Sequence, residues 1–411
     1  MKVKRWAAAL AVLVLLCVTA ATGETKQTMF EKEWYLQGLK DSVMSTGNNA
    51  RLKNVIARAQ RGEVVTLATI GGSTTEGAGA GTYQDCWAAR FHDRFKKAYG
   101  AEDGSNVCFV NAGVGGTPSP FGYMRYQREI VNRVPGTDAD GLPDIVVIEF
   151  SVNDWQEPTG HRCFESMVKD VLSQPNKPAV ILLFAMRNDG WNLQGDLRQI
   201  GDRYDLMMVS VADGIYPHID KEISKKEFFF DEYHPNSTGH RIMADCLIRA
   251  VADAAERETD AQDIDLSVKS VYGTDFRGLE TIYGDREVKG ITVDRGGFTG
   301  LDSGAYKNRP VGLVCGKNFF HDAGSPDDPL KVKGVFSKCL IAWKASPDAS
   351  FGEAEVLVDG ESVMKLKGGK GKWNQSEVAL ALDSREPKLH TVEIRVTDAD
   401  KKFTITAISV R

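Results

Sequence analysis

Val64-Val65-Thr66-Leu67-Ala68-Thr69-Ile70-Gly71-Gly72-Ser73 is a short, mostly apolar run that ends in two glycines and a serine. An apolar run of this length, closed by glycine, is the pattern of a strand buried on both faces. Its flanks fit that reading. Before it, Leu52, Val55, Ile56 and Ala59 recur at helical spacing, and after it Trp87, Phe91 and Phe95 recur every four residues with Ala88 on the same face. Further apolar strands are expected at Val107 to Val110, Ile145 to Phe150, Ala179 to Met186 and Leu206 to Val211. Buried strands alternating with helices predict a parallel sheet covered on both sides, hence a three-layer α/β/α domain over about residues 62–256. Residues 24–61 read as a helical lead-in.

The last helix of this domain is expected from about Ser237 to Glu256, with Ile242, Met243, Cys246, Leu247 and Val251 on one side. Polar residues 257–264 then read as a linker, and the period changes. Glu353 to Gly360 reads as a strand entering a turn, His390 to Val396 alternates strictly, and Phe403, Ile405, Ala407, Ile408 and Val410 form a closing strand. Many short strands separated by Gly, Asp and Pro predict an all-β sandwich over 265–411.

At the other end, Lys2, Lys4 and Arg5 precede an apolar run from Trp6 to Val18 and the small residues Thr19-Ala20-Ala21-Thr22-Gly23. This is the grammar of a secretory signal peptide cleaved after Ala20 or Gly23, too short for a comfortable membrane span. Leu16 stands before Cys17 where lipid attachment wants a small residue, which argues against a lipoprotein. The other six cysteines, Cys86, Cys108, Cys163, Cys246, Cys315 and Cys339, are spread without a Cys-x-x-Cys pair, which speaks against a zinc site. Buried thiols are the plain expectation, with Cys315 and Cys339 the pair to expect if an oxidising compartment closes a bridge. The net charge is −5 over 411 residues and the basic residues are scattered, so no nucleic-acid footprint is present.

Four stretches carry chemistry: Gly71-Gly72-Ser73, Asn111 to Gly116, Ser151-Val152-Asn153-Asp154 and Asp231-Glu232-Tyr233-His234. A serine hydroxyl becomes a nucleophile only when a base removes its proton and donors stabilise the oxyanion it creates. Ser73 follows a strand at the carboxyl edge of the expected sheet, where α/β folds bind ligands. Asp231 and His234 stand three apart, so on one helical turn they would share a face, the carboxylate holding the imidazole in the accepting tautomer. Phe228-Phe229-Phe230 is expected to bury their approach. Gly116 and Asn153 end two other strands and could offer a backbone N–H and a side-chain amide beside the Ser73 N–H; Asp154 reads as structural. The glycine-rich turn at Gly71 to Gly81 lacks the lysine of a phosphate loop, and Gly113 to Pro118 completes no dinucleotide fingerprint. His234 and His240 lack the spacing of a helical metal pair and a third ligand.

In this order the four stretches resemble the blocks of the SGNH (GDSL-like) hydrolases, over roughly residues 62–255. The resemblance implies a flavodoxin-like catalytic domain, Ser73 as nucleophile, His234 as base, Asp231 as its orienting acid, oxyanion donors at Ser73, Gly116 and Asn153, and no metal or organic cofactor. Gly72 stands where the namesake aspartate would be, and Ser151 where the third block usually begins with glycine. Both departures point towards subfamilies that deacylate carbohydrates. The β-rich segment resembles the jelly-roll modules that accompany secreted carbohydrate esterases. Trp343 and Trp373 could stack on sugar rings there, or serve as core or interdomain packing. The leading expectation is an exported esterase removing acetyl or another short acyl group from a polysaccharide or other small ester, with no membrane span left after signal cleavage. A lipase or lysophospholipase stays open, although no long apolar lid is evident. So do a sugar O-acyltransferase, which would use the same constellation, and a silent carbohydrate-binding protein, against which the intact positions speak.

Overall fold

A computed structural model describes residues 28–134, 141–304 and 317–411. The signal-peptide reading and Cys315 lie outside the described residues.

Five buried runs form the parallel strands expected: β2 (Val65–Gly71), β3 (Val107–Gly113), β4 (Ile145–Glu149), β5 (Ala179–Phe184) and β6 (Met207–Ser210). A short strand β1 (Val43–Ser45) joins the edge antiparallel to β6, so the sheet order is β1-β6-β5-β4-β2-β3. The lead-in is therefore not purely helical: β1 lies between helices Glu33–Asp41 and Ala50–Gln60. Taken in chain order, the five parallel strands lie 2-1-3-4-5, the flavodoxin-like order. Pleating sends alternate residues to opposite faces. Ile145 and Val147 pack with the helices Ala50–Gln60, Trp87–Tyr99 and Ser237–Glu256, whereas Val146 and Ile148 pack with Ser119–Glu129, Arg162–Leu172 and Gln194–Arg203. Leu52, Trp87, Phe91, Phe95, Ile242 and Cys246 are buried as their spacing predicts.

After Glu256 no helix or strand forms until β7 (Glu280–Ile282), so the connection is longer than an eight-residue linker. It is laced to the α/β domain. The buried Glu165 carboxylate accepts the N–H groups of Val271, Tyr272 and Gly273 at 2.7, 2.6 and 3.0 Å. Arg277 bonds Asp170 at 2.6 Å.

The second sheet is antiparallel and has eight strands among the described residues. Two long strands, β10 (Leu330–Ala345) and β13 (Gln375–Val396), run together through register breaks between Phe336 and Lys338 and between Cys339 and Leu340. Before the breaks, β10 carries β8 (Thr292–Asp294) on its free side; from Cys339 onward it carries β14 (Phe403–Val410), which in turn pairs β7 and β9 (Phe319–His321). β11 (Glu353–Val358) and β12 (Glu361–Lys367) extend the far end of β13. Such bulges bend strands and let one strand serve both layers of a sandwich. Parity along β10 then decides what each side chain meets. Cys339, Ile341 and Trp343 point into the sandwich core, and Leu340 and Ala342 into the α/β domain beside Phe121 and Met124. Phe276, Tyr283 and Ala407 join that second group, so the two domains share one apolar interior. Ion pairs frame it: Arg162 bonds Asp275 at 2.8 Å and Asp383 at 2.7 Å, and Lys338 reaches both aspartates.

Candidate active site

β2, β3 and β4 are neighbours, and the loops leaving their carboxyl ends converge. Ser73 opens a four-residue helix, Ser73–Glu76, directly after β2. His234 lies in the loop before helix Ser237–Glu256, and its Nε2 stands 2.8 Å from Ser73 Oγ. Its Nδ1 stands 2.8 and 2.9 Å from the two Asp231 carboxylate oxygens. The Asp231 Oδ1 also accepts the N–H groups of Tyr233 and His234, each at 2.8 Å. Partial burial works against the charge of Asp231, yet these bonds hold its carboxyl below the usual range, so it stays ionised at neutral pH. The aspartate and histidine thus meet through a side-chain turn in irregular backbone, not on a helical turn. Phe228 and Phe229 are buried under this loop, but Phe230 is exposed.

The two neighbouring loops are tied to the Ser73 helix. Asn111 Nδ2 donates to Thr75 O at 2.9 Å and its Oδ1 accepts from Gly113 N at 2.8 Å; Glu76 accepts from Gly115 N at 2.8 Å. Gly116 follows with φ +67°, a left-handed conformation that favours glycine. The N–H groups of Ser73 and Gly116 and the Asn153 Nδ2 have no hydrogen-bond partner among the described residues, and Asn153 Oδ1 is buried without one. Asn153 lies directly against Gly72: a Cβ there would stand 2.2 Å from Oδ1. Glu149, wholly buried at the end of β4, accepts from Thr75 Oγ1 at 3.1 Å and from Ser151 Oγ at 3.4 Å. Burial pushes its carboxyl up to about 7 despite those bonds. Burial likewise lifts Asp154 to about 8, and its Oδ1 accepts Ser119 N at 2.7 Å, capping a helix whose preceding Pro118 offers no side-chain cap. Arg125, also buried, ties β2 to β3 by donating to Gly71 O at 3.0 Å and to Ala112 O.

Residues 69–242 match the model of the GDSL-like Lipase/Acylhydrolase family. The match covers most of the α/β domain, which is similar to that family. Two crystal structures of a two-domain esterase, CEX, active on acetylated mannans, share the fold of both domains. The one co-crystallised with mannopentaose aligns with a TM-score of 0.75 at 24% identity, over 90% of this chain and 97% of its own. The other aligns at 0.76 and 24%, over 90% and 98%. No curated protein matches the chain.

Against the family pattern, the glycine at position 72 has a local cause: an aspartate there would run into Asn153. His240 is a packing residue. It accepts Trp87 N at 3.2 Å through Nδ1, its Nε2 lies 3.0 Å from Ala78 O, and burial lowers it to about 4. Among the described residues no three His, Cys, Asp or Glu side chains form a metal-binding group. Cys86, Cys163, Cys246 and Cys339 are buried thiols.

The two tryptophans part company. Trp343 is 6% exposed in the sandwich core with its indole N–H on Lys367 O at 3.0 Å, so stacking on a sugar is ruled out and the packing reading holds. Trp373 is 57% exposed, and its Nε1 lies 3.6 Å from where a Cβ on Gly116 would stand, with Gln375 Oε1 at 3.4 Å. The sandwich therefore supplies one wall beside the Gly116 loop. Asn111, Glu76 and Gln375 were not singled out from the sequence. For Asn111 the signal was present, since it heads the second glycine-rich stretch; for Gln375 there was none, because its neighbours come from another domain.

Proposed function

We propose that this protein is an exported carbohydrate esterase that removes acetyl or another short acyl group through an acyl-enzyme on Ser73. The observation that carries the reading is the 2.8 Å contact of His234 Nε2 with Ser73 Oγ, with Asp231 on the other ring nitrogen. In this mechanism His234 takes the Ser73 proton as Oγ attacks the ester carbonyl, and ionised Asp231 stabilises the imidazolium. The oxyanion sits among the Ser73 N–H, the Gly116 N–H and Asn153 Nδ2, groups with no partner to displace among the described residues. The imidazolium of His234 then gives its proton to the sugar oxygen as the bond between that oxygen and the acyl carbon breaks, and the sugar leaves as an alcohol. A water that gives its proton to the same nitrogen attacks the acyl group and releases the acid.

The carbohydrate substrate is supported by the shared two-domain fold of the acetylated-mannan esterase and by the exposed Trp373 beside Gly116, a flat apolar face suited to a pyranose. Export is supported by the basic, apolar and small-residue succession of Lys2 to Gly23. N-terminal sequencing of the secreted protein should begin at Ala21 or Glu24; a retained Met1 would refute export by this route.

The test is turnover of 4-nitrophenyl acetate, its octanoate counterpart and acetylated mannan by protein without residues 1–23, beside Ser73→Ala and His234→Ala. Acetate and mannan should be hydrolysed, octanoate poorly, and both variants should be folded and inactive. Full activity in Ser73→Ala would overturn the site, and a preference for octanoate would overturn the carbohydrate reading.

A further inference from the structure

We infer that Trp191, Arg187 and Tyr233 form a subsite for a neutral pyranose next to His234, so that the enzyme grips a sugar ring beyond the one it deacylates; the inference rests on the carbohydrate-esterase reading. Arg187 emerges three residues past β5, at the carboxyl edge of the sheet on which Ser73 and Asn153 also lie. Its guanidinium carbon lies 5.6 Å from the Trp191 ring centre and 5.2 Å from that of Tyr233, and Tyr233 in turn lies 6.4 Å from the His234 ring. One cation thus bridges two aromatic rings within one residue of the base.

The loop that carries this group is built to hold still. Arg187 N donates to Trp191 O at 3.0 Å, Gly190 N to Arg187 O at 2.9 Å, and Trp191 N to Asp189 Oδ1 at 3.1 Å. Asn188 N donates to Glu232 O at 3.0 Å, joining it to the His234 loop, and Leu193 N to Ser151 O at 2.8 Å, joining it to the Asn153 loop. Its aromatic residues are nevertheless left in solvent: Trp191 is 37% and Tyr233 48% exposed. Large rings held by a fixed loop but excluded from the core point to a ligand.

The chemistry narrows the ligand. Among the described residues the guanidinium donates through Nη2 to Asp189 Oδ2 at 3.1 Å, while Nε is buried, so the N–H groups left for a ligand are those of the two terminal nitrogens. That ion pair offers N–H donors and carboxylate acceptors side by side, as vicinal hydroxyls require, and balances the charge, so a neutral sugar fits better than a uronate. The ring faces complement the C–H face of a pyranose.

Trp191→Ala and Trp191→Phe, assayed on acetylated mannan and on 4-nitrophenyl acetate, test the assignment. Trp191→Ala should raise KM for acetylated mannan roughly tenfold with kcat within about twofold, leave 4-nitrophenyl acetate turnover unchanged, and be largely rescued by Trp191→Phe. An unchanged KM on mannan would overturn the subsite while leaving the esterase intact. Equal losses on both substrates would overturn it too, by making Trp191 a support for the His234 loop. If unmutated protein hydrolyses 4-nitrophenyl acetate but not mannan, the carbohydrate reading fails and the subsite with it.

Discussion

Gly72→Ala should disable the enzyme without unfolding it. Gly72 has φ −86° and ψ −151°, an extended conformation open to alanine, so the backbone bears no strain. The added methyl, however, would stand 2.2, 2.7 and 2.9 Å from Oδ1, Cγ and Nδ2 of Asn153. Relieving such contacts displaces the amide by about 1 Å, and a displacement of that size at a reacting centre can cost ~10²-fold. Removing an oxyanion donor outright costs ~10²–10³-fold in kcat, about 2.7–4 kcal/mol. Gly72→Ala should therefore lose 10²–10³-fold in kcat on 4-nitrophenyl acetate, while its melting temperature stays near that of the parent, because the atoms that move end a single side chain. Asn153→Ala should match that loss, and the double variant should be no worse than either alone, since both remove one donor. Multiplying losses would refute the reasoning, as would a Gly72→Ala enzyme retaining half its activity.

Three more outcomes follow from named contacts. Glu149 titrates near 7 in the fold against 4.5 for an unperturbed glutamate, so its stabilising contribution is complete below pH 4.5 and disappears as the pH rises through 7, a withdrawal of about 3 kcal/mol. Glu149→Gln, which keeps an acceptor for Thr75, should melt higher than the parent at pH 8 and show no such gain at pH 4.5 in thermal scans; a gain independent of pH would refute it. Asp231→Asn should fold normally and keep a residue of activity about 10³–10⁴-fold below the parent, because the imidazole loses its orienting carboxylate; parental kcat on 4-nitrophenyl acetate would exclude that role. Truncation after Gln262 should give aggregated or unfolded protein. It strips Phe276, Tyr283, Leu340, Ala342 and Ala407 from the interior shared with Phe121 and Met124, and at ~1–2 kcal/mol per buried side chain that loss rivals the stability of a whole domain; a soluble fragment melting like the intact chain would contradict it.

The parallel strands were legible because strands buried on both faces are mostly apolar along their length, and β2 to β6 are. β1 was not, since three residues at a sheet edge carry no period. The Asp231 and His234 pairing was legible as chemistry but misplaced as structure: spacing three suits a helical turn, but Asp231 instead caps two backbone N–H groups of an irregular loop. Trp343 could not be told from Trp373 by composition; its parity with Cys339 and Ile341 along β10, visible only once β10 is bent and paired, sends it inward. The Arg187 to Trp191 loop matched no motif, and only its place after β5 marks it.

What the sequence treated as two consecutive domains is one site-bearing body, and this changes where specificity is expected to reside. β13 begins at Gln375 beside Gly116 and, eight residues on, offers Asp383 to Arg162 of the α/β domain. The strand that brings the Trp373 wall to the oxyanion loop is thus itself anchored to the catalytic domain by an ion pair and, through β10 and β14, by the shared apolar interior. A wall held this way cannot be lost or reoriented without disturbing the catalytic fold. On the proposed carbohydrate-esterase reading, the chemical step belongs to three loops of the α/β domain, whereas the choice of glycan belongs to residues of both, Trp373 from the sandwich and Trp191 from the sheet edge. Substitutions at these two tryptophans should change KM on polymeric esters and spare small ones, a division that a sandwich acting only as a tether would not produce.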